Sequence, residues 1–188
     1  MTDQPELSVV VPVYNEEVNI VPMYERLVAA LSEHVAGLEL LYVDDGSADS
    51  SWEKISELAT RDQRVRGIRF ARNFGHQAAL TAGVDGARGR AVVIIDGDLQ
   101  DPPEVIPEMV DRWRDGFEVV YGQRENREGE TWFKLVTASA FYRILRGITH
   151  VDIPVDTGDF RLMGPRAVAA FRAMPERNRF IRGLVSWI

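Results

Sequence analysis

Ala91-Val92-Val93-Ile94-Ile95-Asp96-Gly97-Asp98-Leu99-Gln100-Asp101-Pro102-Pro103 is the stretch on which the fold turns. Its apolar run is short, rich in β-branched residues and bounded by turn formers, which reads as a strand, Ala91–Ile95, buried on both faces. The two prolines then open a helix that runs to about Arg114. Buried strand, acidic loop and helix in succession are the first half of a βαβ unit. The alternation continues upstream in strands Leu7–Val13, Leu38–Val43 and Val65–Phe70, the last interrupted by charges. Helical patterns over 17–35, 47–60 and 76–87 separate them. Ser47 reads as the N-cap of the second helix, with Asp49 in its first turn. Downstream, Phe117–Tyr121 is a fifth strand. An amphipathic helix over 130–146, a loop over 150–157, a short strand Phe160–Met163 and a closing helix follow. Together these specify an α/β fold, a Rossmann-like and mostly parallel sheet with helices on both faces.

Composition agrees with one globular domain over 1–188. The chain is 45% hydrophobic and 27% charged, close to the globular average. It has no cysteine, which excludes a disulfide framework, a thiolate zinc site and a cysteine nucleophile. No apolar run reaches the roughly 18 residues that span a bilayer. The opening Met1–Glu6 is acidic, unlike a secretory signal, so a cytoplasmic location is expected. Charge is divided unevenly: residues 1–123 hold 11 Lys/Arg against 22 Asp/Glu, and residues 124–188 hold 11 against 7. An acidic body argues against nucleic-acid binding. The basic last third suits phosphates or an anionic membrane surface, or else a solvated arginine-rich face.

Parallel sheets bind ligands at the carboxyl ends of their strands. Here those ends read Pro12–Glu16, Asp44–Ser47, Asn73–Gly75 and Asp96–Asp101. Asp96 and Asp98 are spaced i, i+2, which extended backbone would place on one side, with Gln100 continuing the row. Such oxygen ligands suit a hard divalent ion, Mg²⁺ or Mn²⁺, held jointly with substrate phosphates. Capping of the next helix by Asp98 and Asp101 is the plainer reading. Asp44 and Asp45 are placed to accept hydrogen bonds from a ribose hydroxyl or a base N–H, or else to serve the turn at Gly46. Pro12-Val13-Tyr14-Asn15-Glu16-Glu17 offers an aromatic face and amides to a base. It lacks the glycines of a dinucleotide fingerprint or P-loop, which argues against an NAD enzyme, a kinase or a nucleotidyltransferase. A receiver-like signalling module needs a lysine at a later strand end, whereas Lys54 and Lys134 both fall in predicted helices.

Pro12-Val13-Tyr14-Asn15-Glu16, Val43-Asp44-Asp45-Gly46-Ser47, Arg72-Asn73-Phe74-Gly75-His76-Gln77 and Asp96–Pro103 occur in an order and spacing that resembles family 2 glycosyltransferases of GT-A fold. Gly122-Gln123-Arg124 and Asp156-Thr157-Gly158-Asp159-Phe160-Arg161 extend the match over nearly the whole chain. Within the family the chain looks most like the polyprenyl-phosphate glycosyltransferases, the group of bactoprenol glucosyltransferase and dolichol-phosphate mannose synthase. The resemblance implies that Pro12, Tyr14, Glu16 and Asp44 or Asp45 hold the nucleoside of a UDP- or GDP-linked sugar. It implies that Asp96 meets ribose and metal, with Asp98 and Gln100 completing the metal site. Arg124 would reach a donor or acceptor phosphate, and Asp159 would stand beside the reacting sugar carbon. Arg127 and Lys134 are weaker assignments to the acceptor phosphate. His34, His76 and His150 read as structural or exposed, with a substrate contact as the alternative for His76, which alone lies inside a motif.

The implied reaction is an inverting transfer, with UDP-glucose the favoured donor and a polyprenyl phosphate the acceptor, on the cytoplasmic side of a membrane. A saccharide acceptor, or a silent nucleotide-sugar-binding protein, is the alternative. The division expected is a nucleotide-sugar part over 1–123 and an acceptor side over 124–188. The family's membrane helices would follow Arg182–Ile188, and a homo-oligomer is compatible with this reading.

Overall fold

In the computed structural model, which describes residues 4–123, 157–176 and 179–187, six strands form one sheet in the order β3-β2-β1-β4-β6-β5. These are β1 (Leu7–Val13), β2 (Leu38–Asp44), β3 (Val65–Arg69), β4 (Ala91–Ile94), β5 (Val119–Gln123) and β6 (Thr157–Met163). β1 pairs in parallel with β2 and β4, and β2 with β3. β6 runs antiparallel between β4 and β5. Every residue of β1, β2 and β4 is buried, as strands covered on both faces require. β3 is an edge strand with alternating exposure, which accommodates the charges of Arg66 and Arg69.

The helices are α1 (Ile20–Leu31), α2 (Ser51–Arg61), α3 (His76–Gly86), α4 (Ile106–Arg114), α5 (Pro165–Ala173) and α6 (Ile181–Trp187), with a 3₁₀ turn over Pro103–Val105 before α4. Alternation along β1 divides the core. Leu7, Val9 and Val11 pack with Met23 and Leu27 of α1, Ile55 of α2 and Met109 of α4. On the opposite face, Val10 packs with Leu80 and Val84 of α3, Phe171 of α5 and Ile181 of α6. The sheet is thus covered on both faces. α3 approaches β1 so closely that a Cβ on Gly83 would lie 2.2 Å from Val10 Cγ1. That approach sets the amino end of α3, and His76 with it, against the carboxyl end of the sheet.

Several boundaries differ from the sequence expectation, for physical reasons. α1 starts at Ile20 because residues 15–17 are bound to the opening of α2. α2 starts at Ser51, four residues after Ser47. The Ser47 hydroxyl accepts the Asn15 N–H at 2.9 Å and is not a helix cap. The N-cap position falls on Ser50, and Asp49 just before it accepts the N–H groups of Ser51 and Glu17. β5 lies further along the chain than expected, and β6 begins earlier. The helix expected over 130–146 and most of the loop expected over 150–157 lie outside the described residues. Among the described residues no helix is long and apolar enough to cross a membrane.

Candidate active site

The carboxyl ends of β1, β2 and β4 and the amino end of α3 enclose a cleft of about 290 Å³. β1 supplies Pro12 and Val13 and the loop after it Tyr14 and Glu16, the turn after β2 supplies Asp45, the loop after β3 supplies Asn73, and α3 supplies His76 and Ala79. Asp96, Gly97 and Asp98 complete the lining. The β1 loop is held open by its own ties. Asn15 adopts a left-handed φ of 55°, which Asn tolerates better than most residues, and its side-chain oxygen accepts the Ala48 N–H. The Glu16 N–H donates to Ser51 Oγ, and its carboxylate accepts the Asn19 amide. Tyr14 therefore stands 49% exposed at the rim, its ring available for stacking.

The paired acids after β2 separate into two roles. Asp44 is fully buried, accepts the Ser47 N–H at 3.0 Å, stands 3.5 Å from Arg69 Nε and does not line the cleft. It serves the turn. Asp45 lines the cleft and accepts the N–H groups of Phe74 and Gly75 at 2.7 and 2.9 Å. Gly46 permits this, because at its φ of 71° a Cβ would sit 2.4 Å from the Arg72 carbonyl carbon. Of the two acids, Asp45 alone lines the cleft.

Asp96 and Asp98 reach the cleft by a turn and not by strand alternation. β4 ends at Ile94, the chain turns through Gly97 and Asp98, and Leu99 takes a left-handed φ of 63°. The extended row expected through Gln100 is therefore broken. Gln100 is exposed and outside the cleft lining, and its N–H donates to Asp98 Oδ1. Asp98 Oδ1 is engaged by that N–H within the turn and not by the helical segment that follows. Asp96 Oδ1 is buried without a hydrogen-bond partner. Burial pushes its pKa up, and the charges of Asp159, Asp101 and Asp98 add to this against the opposing His76. A site with an orphaned carboxylate oxygen and surplus negative charge fits a hard cation. Among the described residues no group of three His, Cys, Asp or Glu side chains could hold one. The protein donors present are Asp96 and Asp98, and a divalent ion here would complete its shell with substrate oxygens and water.

β6 brings in Asp159, 3% exposed and outside the cleft lining. Arg182 of α6 binds both its oxygens, Nε to Oδ1 at 2.9 Å and Nη2 to Oδ2 at 3.2 Å. His76 Nε2 lies 3.2 Å from Oδ2 and 3.6 Å from Asp96 Oδ1, bridging the two acids. Behind them the fully buried Arg161 stands 3.5 Å from Asp159 and stacks on Tyr121. Burial alone would raise the Asp159 pKa. The hydrogen bonds from His76 and Arg182 and the charges of Arg182 and Arg161 outweigh it and hold the carboxyl well below the usual range. His76 is raised by its bond to Asp159, against the effect of burial. The sequence favours a structural or exposed His76, with a substrate contact as the alternative, and carries no sign of Arg182 at the site. The signal for His76 is its place within the Arg72–Gln77 motif. Arg124, Arg127, Lys134 and His150 lie outside the described residues.

Comparison with known proteins gives this geometry a family. The profile described as Glycosyl transferase family 2 matches residues 8–170. The chain belongs to glycosyl transferase family 2. Among similar proteins, the uncharacterized glycosyltransferase YkcC of Bacillus subtilis is 53% identical over 97% of this chain and 57% of its own length. The prophage bactoprenol glucosyl transferase homolog of Escherichia coli is 40% identical over 97% of this chain and 60% of its own length. The chain thus spans about three fifths of the curated relatives it matches. In structure it resembles a Pyrobaculum calidifontis mannosyltransferase in complex with GDP-Man and Mn²⁺, with a TM-score of 0.63, 21% identity and coverage of 89% of this chain and 47% of that one. It also resembles glucosyl-3-phosphoglycerate synthase of Mycobacterium tuberculosis in complex with Mn²⁺, UDP-Glc and phosphoglyceric acid, with a TM-score of 0.61, 22% identity and coverage of 88% and 59%. The fold is GT-A.

Proposed function

We propose that this chain is the nucleotide-sugar-binding catalytic domain of a glycosyltransferase that passes a sugar, UDP-glucose being the favoured donor, to a polyprenyl phosphate with inversion. The observation that carries the reading is the 40% identity to bactoprenol glucosyl transferases over 97% of the chain. The acidic cleft at the strand ends supports it, since it joins a stacking ring, a base-facing carboxylate and a two-carboxylate cation site.

On this reading the residues divide the work among them. Tyr14 and Pro12 receive the base, and Asp45 faces its edge, while Glu16 closes the rim. Asp96 and Asp98 would hold Mg²⁺ or Mn²⁺ at the donor diphosphate. Such an ion supplies neutralisation of the charge that gathers on the leaving nucleoside diphosphate. Arg124, together with Arg127 and Lys134, is assigned to the phosphates on family resemblance, and guanidinium groups suit that task through bidentate hydrogen bonding. A phosphate acceptor is already anionic at neutral pH, so no strong base is required to activate it. Asp159 matches that demand. With Arg182 and His76 on its oxygens it is a poor proton acceptor and acts as a positioning residue, fixing His76 at the cleft wall. The domain works at the cytoplasmic face of a membrane, where a lipid phosphate is presented.

The test is transfer of radiolabelled sugar from a panel of nucleotide sugars by the full-length protein, with undecaprenyl phosphate and Mg²⁺ or Mn²⁺ present. The expected product is an organic-soluble glycosyl phosphate lipid. Transfer only to free glycans or protein would overturn the acceptor assignment.

A further inference from the structure

α6 is only seven residues long, yet it delivers Arg182 to a buried acid beside the cleft. Its seat is set by α3 and the core. Gln77 Oε1 accepts the Ile181 N–H at 3.0 Å, one residue along α3 from His76. Ile181 and Val185 are buried with Val84 of α3 and Phe171 of α5. These contacts fix where Arg182 leaves the core.

Two arginines hold Asp159, and they hold different parts of it. Arg161, fully buried, donates from Nε to the Asp159 carbonyl at 3.2 Å and from Nη2 to the Gly158 carbonyl at 2.9 Å. It therefore fixes the main chain of β6, and its Nη2 stands 3.5 Å from the carboxylate. Arg182 takes the carboxylate itself, with one nitrogen on each oxygen. A planar fork with two parallel bonds fixes the plane of a carboxylate as well as its place, which a point charge does not. Oδ2, so oriented, lies 3.2 Å from His76 Nε2, and that nitrogen is 3.6 Å from Asp96 Oδ1. Without Arg182 the carboxylate would retain one bond, to His76, and the looser contact with Arg161. Neither sets its plane.

The strand order indicates which part of the substrate this concerns. Across the carboxyl edge of the sheet, Asp45 follows β2, Tyr14 follows β1 and Asp96 follows β4, while Asp159 lies on β6, the next strand. A nucleotide sugar with its base at Tyr14 and Asp45 and its diphosphate at Asp96 and Asp98 thus points its sugar toward β6. We propose that Arg182 is a positioning residue for the transfer step, holding His76 through Asp159 at the sugar end of the cleft. α6 thereby belongs to the transfer machinery and not to donor binding. The proposal rests on glycosyl transfer at this cleft and on the donor placement above, whatever the acceptor.

The experiment is steady-state transfer by the full-length protein from the nucleotide sugar that the wild type uses, UDP-glucose first. Calorimetry with the matching nucleoside diphosphate counts the binding sites, so kcat is expressed per competent site. Arg182→Ala should lower kcat about thirtyfold with donor KM and diphosphate affinity within about twofold, since misplacing a group at the reacting centre costs up to roughly a hundredfold in rate. Arg182→Lys keeps the charge but lacks the fork, and should restore part of the rate, to about tenfold below wild type. It also answers for the alanine variant if that one fails to fold. In an Asp159→Asn background, Arg182→Ala should cost less than about threefold, because the route through Asp159 is already broken. Wild-type kcat in Arg182→Lys would overturn the proposal. So would a loss of diphosphate affinity equal to the loss of kcat, or full multiplication of the two single effects in the double variant. If the wild type moves no sugar to undecaprenyl phosphate, the acceptor reading alone fails, and the same comparison is made on hydrolysis of the donor by water.

Discussion

Removing Arg182 tests the central geometry most directly. Arg182→Ala takes away the hydrogen bonds at 2.9 and 3.2 Å on a carboxylate that is 3% exposed. Asp159 keeps His76 at 3.2 Å and Arg161 at 3.5 Å, so it is weakened as an ion pair and not stranded. A hydrogen bond between charged groups is worth roughly 1.5–3 kcal/mol, and a third of the Arg182 side chain is in solvent, so the expected loss of stability is about 2 kcal/mol. Asp159→Asn is worse, about 3 kcal/mol, because it leaves the fully buried Arg161 without its anion. If the two residues stabilise the fold through each other, Arg182→Ala costs less once Asp159 is Asn by the worth of the bonds between them. The coupling in the double-mutant cycle is then about 2 kcal/mol. Urea unfolding of the four proteins, followed by circular dichroism with a common m-value, measures it. A coupling below about 0.5 kcal/mol would refute the reasoning, since contacts that do not interact add independently.

Further expectations divide the acids by role. Asp45→Ala should weaken UDP binding about tenfold by calorimetry, while Asp44→Asn should leave it within about twofold, and equal losses would contradict their separate placement. Chelator should lower UDP affinity of the wild type but not of an Asp96→Asn/Asp98→Ala variant; undiminished sugar transfer by Asp98→Ala in excess chelator would remove the metal from the reaction. Away from the cleft, hydrogen bonds from Arg64 outweigh burial at Asp62 and hold its pKa at about 2, below the ordinary 3.8. A depressed carboxylate stabilises the fold above its unfolded pKa and loses that contribution as pH falls through the folded value. Between pH 5 and pH 2 the wild type should therefore lose on the order of 1 kcal/mol relative to Asp62→Asn, allowing for solvent around Arg64. Parallel stability curves for the two proteins would contradict this assignment.

Much of the architecture was legible because it depends on near neighbours. The apolar runs of β1, β2 and β4 announce burial on both faces, and the charges in β3 mark it as the weaker strand. The polar segments after β1, β2 and β4 name the ligand end of the sheet before any contact is known. Legibility failed where a side chain had several partners within reach. Ser47 looked like a helix cap but is held by Asn15, which is 32 positions away in the chain. Asp96, Asp98 and Gln100 look like a row only while the backbone stays extended, and the turn at Leu99 ends it.

Sequence alone thus determined the alternation of strands and helices, the division of the core between two faces and the acidic ends of the strands. These follow from side-chain period, β-branching and turn formers, all local properties of the chain. Tertiary structure alone decided which acids share the cleft and what each of them faces. The antiparallel entry of β6 sets Asp159 beside His76, 83 residues away, and α6 returns Arg182 to the same carboxylate from 23 residues on. No local pattern encodes such a meeting, because the role of a carboxylate depends on what desolvates it and on which charges packing delivers to its oxygens.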